Sequence, residues 1–299
     1  KLSGKLPIGK KTTRSLLHRL EESLKSLLVP GMLFEELGFR YFGPIDGHNI
    51  DELVQTIERI KDLKTPALLH IMTKKGKGMG VAEEDPVKYH GVKPNGSSNG
   101  KVKTSEPTIS FQDVFGSLAC EIARNREDMV CITAAMGEGT GLVPFAKEFP
   151  NRYYDVGIAE GHGVTFAAGL ATEGVRPIVA IYSTFLQRAF DHIVHDVAIQ
   201  HLPVVFCLDR SGIAGEDGPT HHGVLDIAYL KCIQDLVLVS PKDGNELRHL
   251  LYTALDYQDG PFAIRYPKAS SVTFDPHGQA ELLPIGSWET LLPGTEVAD

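Results

Sequence analysis

Glu160, in the run Asp155-Val-Gly-Ile-Ala-Glu160-Gly-His162-Gly163, stands where an apolar strand gives way to a helix of small residues. An acidic residue in the first turn of a helix is commonly there for the helix dipole alone. This one follows a strand expected to be buried on both faces, and a carboxyl group kept from water is suited to share a proton with a ring nitrogen. Tyr182-Ser-Thr-Phe185-Leu-Gln-Arg188 offers an aromatic face and a guanidinium beside a helix start, which suits ring stacking and anion binding. The 209–223 loop holds Arg210, Asp217, His221 and His222, so acid, base and cation lie close together. The 74–90 loop carries Lys74, Lys75 and Lys77 and closes on His90. Taken singly, Phe185 reads as core, Arg188 as a solvated helix charge and the lysines as a basic surface loop. Grouping is what points to chemistry. His221 and His222 lack a third ligand at zinc spacing, so acid–base work is the better reading.

Positioning these segments requires regular elements. Leu16, Leu17, Leu20, Leu24, Leu27 and Leu28 predict an amphipathic helix over 13–28. After the turn-rich stretch 43–49, a helix is expected over 50–61 and a strand over 67–72, ending in a glycine-rich loop. The stretch 93–107, rich in Asn, Gly, Ser, Lys and Pro, reads as a linker between two domains. Beyond it, strands are expected over 130–134, 153–158, 177–181, 204–208, 236–239 and 262–266. Helices are expected over 111–124, 161–171, 185–199 and 245–257. Short β-branched runs alternating with amphipathic helices predict an α/β fold with a mostly parallel sheet covered on both faces. Ligands in such sheets lie at the carboxyl ends of the strands, where the 159–163, 182–188 and 209–223 segments fall.

With 299 residues, 42% hydrophobic and 23% charged, the chain is neither disordered nor too small for two cores. A net charge of -8 argues against a nucleic-acid partner. Cys120, Cys131, Cys207 and Cys232 are far apart in apolar surroundings and read as buried thiols. No apolar run approaches the roughly 20 residues that span a bilayer.

The strings Gly43-Pro-Ile-Asp-Gly-His-Asn49, Thr73-Lys-Lys-Gly-Lys-Gly78, Asp155 to Glu160, Tyr182 to Arg188 and Asp217-Gly-Pro-Thr-His-His-Gly223 resemble the 1-deoxy-D-xylulose-5-phosphate synthase family, in order along nearly the whole chain. The resemblance implies three-layer sheet domains of the thiamine-diphosphate-binding, transketolase-like type. Residues 1–95 would be the end of the diphosphate-binding domain, 96–107 a linker, 108–285 the pyrimidine-binding domain and 286–299 the start of a third. It implies condensation of pyruvate with D-glyceraldehyde 3-phosphate, with loss of carbon dioxide, using thiamine diphosphate and Mg2+. Glu160 would hydrogen-bond the cofactor's aminopyrimidine, with Phe185, Met79 and Met136 also on the cofactor. His90 and His221, with Asp217 beside them, would serve proton transfer. Tyr182, Arg188, Arg210 and Arg265 would receive the acceptor and its phosphate. A homodimer, cytoplasmic or plastid, is implied as well.

Three departures stand out. Gly161 and Gly163 replace the family's Gln and Ala, and Met79 replaces a Tyr that donates a hydroxyl to the cofactor. The metal-binding Gly-Asp-Gly occurs nowhere, so Mg2+ ligands are expected in a segment upstream of Lys1, and the chain alone is expected to be inactive. Alternatives are another thiamine-dependent ketol transferase, such as a transketolase or a 2-oxoacid dehydrogenase component, and a non-catalytic module that keeps the fold.

Overall fold

The computed structural model describes residues 31–87, 89–90 and 109–290, and the chain divides into two units, 1–101 and 102–299. The helix expected over 13–28, the linker over 93–107 and the end of the chain from 291 lie outside the described residues.

In the first unit, α1 (Met32–Glu36) leads into β1 (Arg40–Asp46), α2 (Ile50–Ile60), β2 (Ala67–Met72) and α3 (Gly80–Glu84). The first part of the turn-rich stretch, 43–46, is the end of a strand and 47–48 is a turn: β1 pairs in parallel with β2, and a register shift between Phe42 and Ile45 absorbs Gly43-Pro44. Proline has no N–H for a ladder and is accommodated at such irregularities, so its turn signal misled. Asn49 caps α2 by accepting the Glu52 N–H at 3.2 Å. His48 Nε2 accepts the Lys74 N–H at 2.8 Å and ties the loop after β2 to the turn after β1.

The second unit is a six-stranded, wholly parallel sheet in the order β4-β3-β5-β6-β8-β7. Its strands are β3 (Met129–Thr133), β4 (Tyr153–Asp155), β5 (Arg176–Tyr182), β6 (Val205–Asp209), β7 (Val237–Val239) and β8 (Phe262–Arg265). The helices are α4 (Phe111–Asn125), α5 (Val143–Glu148), α6 (Glu160–Thr172), α7 (Phe190–His192), α8 (Asp226–Leu230) and α9 (Gly244–Asp256). β3 and β6 are buried along their whole length, as strands covered on both faces must be. One core packs Phe115, Leu118 and Ile122 of α4 and Leu247 and Leu251 of α9 against Cys131, Ile178 and Phe262. The other packs the small residues Ala167, Ala168 and Ala171 of α6 against Ile132, Val179 and Phe206. Ser110 and Asp243 cap α4 and α9 by accepting N–H groups at 3.1 and 2.9 Å. From β3 the chain steps outward to β4 and then returns across β3 to β5. In sheets of this kind ligands bind beyond the carboxyl ends of the strands where the order reverses.

Four local expectations are corrected. The helix expected over 185–199 is a 3-10 turn (Phe185–Ala189), the single turn α7, and a π-helix (Ile193–Ala198). Leu186, Ala189, Ile193 and Val197 are all buried, and changes of pitch keep them on one side, so the apolar spacing imitated a single helix. The strand expected over 153–158 stops at Asp155, whose Oδ1 accepts the N–H groups of Ala135 and Gly157 at 2.8 and 3.0 Å and turns the chain. The 209–223 loop contains two 3-10 turns and is pinned by Gly212 and Gly223, which exchange backbone hydrogen bonds of 2.7 and 2.8 Å. Cys120, Cys131 and Cys207 are buried, but Cys232 is exposed.

Candidate active site

Glu160 opens α6, and the turn from β4 delivers it inward: the residue is 3% exposed, although Ile158 just before it is 80% exposed. Among the described residues, its one hydrogen-bond partner is Arg188, whose Nη1 donates to Oε1 at 2.5 Å. The 3-10 turn after β5 makes this contact, because it brings Arg188 back toward the sheet. The same guanidinium lies 5.0 Å from the centroid of the Phe185 ring. The other carboxylate oxygen of Glu160 has no hydrogen-bond partner among the described residues, and the guanidinium that holds the first packs against an aromatic ring.

Phe185 is the centre of an aromatic group. It stacks on Tyr182 with centroids 5.7 Å apart and planes 19° apart, and meets His221 edge-on at 5.3 Å. Burial pushes the Tyr182 phenol up to about 12, so its hydroxyl stays protonated at neutral pH. A hydrogen bond of 3.0 Å joins Thr220 Oγ1 to His221 Nδ1 and leaves the other ring nitrogen for a ligand. His222 faces its own loop, accepting the Ala214 N–H on Nδ1 at 3.0 Å. Met136 is buried after β3, and its sulfur accepts the Tyr182 N–H at 3.5 Å.

The cations form a second layer. Arg210 lies over Tyr182, 3.8 Å from the ring centroid, and donates to Asp217 Oδ2 at 3.1 Å and to the Gly139 carbonyl at 2.7 Å. Lys268 Nζ meets Asp217 Oδ1 at 2.5 Å. Burial acts to raise Asp217, but its hydrogen bonds to Lys268 and Arg210 more than offset this and hold the carboxyl below its ordinary range. Asp217 is thus an ionised anchor for two cations. Asp209, wholly buried at the end of β6, is pushed up to about 7 by desolvation, against the lowering effect of Arg210.

Of the residues singled out in the sequence, the structure brings Glu160, Phe185, Arg188, Tyr182, His221, Arg210, Asp217 and Met136 into one chain of contacts. Arg265 is placed elsewhere: its Nε and Nη2 bind Asp226 at 2.9 and 3.2 Å, and among the described residues it shares no hydrogen bond with that group. Lys268, three residues further on, joins that group through Asp217. His90 and Met79 belong to the first unit, where His90 Nδ1 lies 2.7 Å from Lys75 Nζ and Met79 is exposed at the start of α3. Sequence reasoning passed over Lys268, Asp209 and Gly139. All three lie at or after the carboxyl end of a strand, and Gly139 sits in the glycine-rich run Met136-Gly-Glu-Gly-Thr-Gly141 that leaves β3.

A buried carboxyl with one oxygen unpartnered among the described residues, held by an arginine that packs on an aromatic ring, fits an aminopyrimidine ring. Among the described residues there is no group of three His, Cys, Asp or Glu that could hold a metal ion, so no step is assigned to Mg2+ here.

A doubly covered parallel sheet with this site at its switch point defines an α/β domain of the transketolase type. A solved split-gene transketolase, in an inactive β4 tetramer, aligns with 58% of this chain and 57% of its own at 26% identity, TM-score 0.51. Transketolase from Leishmania mexicana shares the fold at 22% identity, covering 56% of this chain and 27% of its own, TM-score 0.50. The chain belongs to the transketolase pyrimidine-binding-domain family, whose model matches residues 107–272, more than half of it. A family model described as 1-deoxy-D-xylulose-5-phosphate synthase matches residues 3–73. The 1-deoxy-D-xylulose-5-phosphate synthase of Thermomicrobium roseum is 52% identical over all of this chain and 46% of its own length. That of Aquifex aeolicus is 55% identical over 92% of this chain and 44% of its own. The chain therefore resembles this synthase throughout and spans less than half the length of these curated relatives.

Proposed function

We propose that this chain is the pyrimidine-binding part of a thiamine-diphosphate-dependent transferase that condenses pyruvate with D-glyceraldehyde 3-phosphate to 1-deoxy-D-xylulose 5-phosphate and carbon dioxide. In this reading residues 1–95 close a diphosphate-binding domain, 96–107 link it to the pyrimidine-binding domain at 108–285, and 286–299 begin a third. The observation that carries it is Glu160, buried at the entry of α6, with one oxygen held by the Arg188 guanidinium that packs on Phe185 and the other without a hydrogen-bond partner among the described residues.

Thiamine diphosphate, when bound, supplies an electron sink for decarboxylating the donor. Glu160, through the oxygen not taken by Arg188, would hydrogen-bond the aminopyrimidine from a buried position. Phe185 packs on that ring. His221, steadied by Thr220, moves a proton at its free ring nitrogen, and His90 is a second candidate for proton transfer. Arg210 and Arg188 face the acceptor's phosphate, with Asp217 keeping Arg210 oriented. Ile158, Ile213, Val224, Leu225 and Ile227, all exposed on the segments around the site, support docking of a second copy.

The test is carbon dioxide release from pyruvate by the complete polypeptide. Release that requires Glu160 and rises on adding D-glyceraldehyde 3-phosphate is the expected result, with the 299-residue chain alone inactive. Turnover from a ketose phosphate in the absence of pyruvate would overturn this reading in favour of a transketolase.

A further inference from the structure

Asp209 is buried with no exposed surface, yet both its oxygens are used by the very next residue. Oδ1 accepts the Arg210 N–H at 2.5 Å and Oδ2 accepts Arg210 Nη1 at 2.9 Å. Arg210 has φ 58°, in the left-handed region that residues with side chains seldom adopt. Gripping both ends of the residue holds that conformation and folds the side chain back over Tyr182, 3.8 Å from the ring centroid. Gly139 closes the same space from the loop after β3. A Cβ there would lie 1.7 Å from the Tyr182 hydroxyl oxygen, and the Gly139 carbonyl accepts Arg210 Nη1 at 2.7 Å. Tyr182 is thus held by Arg210 over its ring, by Gly139 at its hydroxyl and by the stacked Phe185.

We propose that Asp209 is a positioning residue for the phosphate of the acceptor: it fixes Arg210, and through Arg210 the ring of Tyr182, without meeting substrate itself. A guanidinium on a flexible side chain loses freedom when it captures a phosphate, whereas one already clamped loses little. Arg210 spends Nε and Nη1 on the clamp, and the clamp aims what remains of the fork. This inference rests on the acceptor named under Proposed function.

The experiment compares D-glyceraldehyde 3-phosphate with unphosphorylated D-glyceraldehyde as acceptors, in the complete polypeptide with Asp209→Asn. Loss of the oxygen that accepts Arg210 Nη1 is expected to lower kcat/KM for the phosphorylated acceptor about tenfold or more, chiefly through KM, and to leave the unphosphorylated acceptor nearly unchanged. Gly139→Ala, which disturbs the clamp without altering a buried charge, should erode the same ratio. Arg210→Ala should abolish the preference, with Asp209→Asn adding nothing on top. Equal losses on both acceptors in both variants would mean a merely structural role and overturn the inference, as would an unchanged ratio. If the unsubstituted protein joins neither acceptor to pyruvate, the proposed function fails first.

Discussion

Glu160 and Arg188 meet at 2.5 Å, the carboxylate buried and the guanidinium side chain 55% exposed. The acid reaches its place through the turn after β4 and the base through the 3-10 turn after β5, so the pair stitches two post-strand loops together. Removing the arginine leaves a charge with no partner in a dry place, whereas removing both charges does not. Because Arg188 is largely solvated, Arg188→Ala is expected to cost only about 1–2 kcal/mol. Glu160→Gln in the same background should recover most of it. Urea unfolding of the four proteins gives the coupling, and strictly additive losses would show that the contact has no energetic weight.

Asp209 gives a pH signature. Burial raises its carboxyl from 3.8 to about 7. A group raised on folding contributes stability that is fully present below its unfolded value and is lost as pH rises through the folded one. Relative to Asp209→Asn, the native chain should therefore lose stability between pH 3.8 and about 7. The loss is on the order of a few kcal/mol, at about 1.4 kcal/mol per unit. Unfolding free energies of both proteins across that window test this, and a constant difference between them would contradict it.

Gly161 is packed under His192. A Cβ at 161 would lie 2.6 Å from His192 Nε2, while a hydrogen bond of 3.0 Å joins His192 Nδ1 to Thr165 Oγ1. In a helix, Gly→Ala ordinarily stabilises by about 1 kcal/mol. Gly161→Ala should show that gain in a His192→Ala background and lose it in the native one, a coupling of about 1 kcal/mol. Identical effects in the two backgrounds would mean that the ring moves aside freely.

Arg265 and Asp226 make a separate prediction. Asp226 is buried and takes two hydrogen bonds from Arg265, so Asp226→Ala should destabilise the domain by about 3 kcal/mol. Arg265→Ala should cost stability too, yet keep the preference for a phosphorylated acceptor that Arg210→Ala loses. Loss of that preference in folded Arg265→Ala protein would return Arg265 to the substrate site.

The parallel sheet was legible because its strands are short, β-branched and regularly spaced by helices. That Glu160, Tyr182, Arg188 and Arg210 would lie at or just after strand ends was legible because the strands before them are regular. What escaped depended on contacts between distant segments. Arg265 and Lys268 lie three residues apart, and only the packing of α8 decides that Asp226 claims the first while Asp217 takes the second. The broken helix after Phe185 kept its apolar spacing, so nothing local revealed its change of pitch. Gly139 looked like any loop glycine until the Tyr182 hydroxyl was placed against it.

Exchange of the thiazolium C2 hydrogen of thiamine diphosphate with deuterium, followed by rapid quench and NMR in the complete polypeptide, probes Glu160 without any substrate. Replacing Glu160 by Gln keeps the size of the side chain and removes its ability to take a proton, so exchange should slow by about 100-fold or more while the cofactor still binds. Exchange at the native rate in that variant, with cofactor bound, would remove Glu160 from the chemistry.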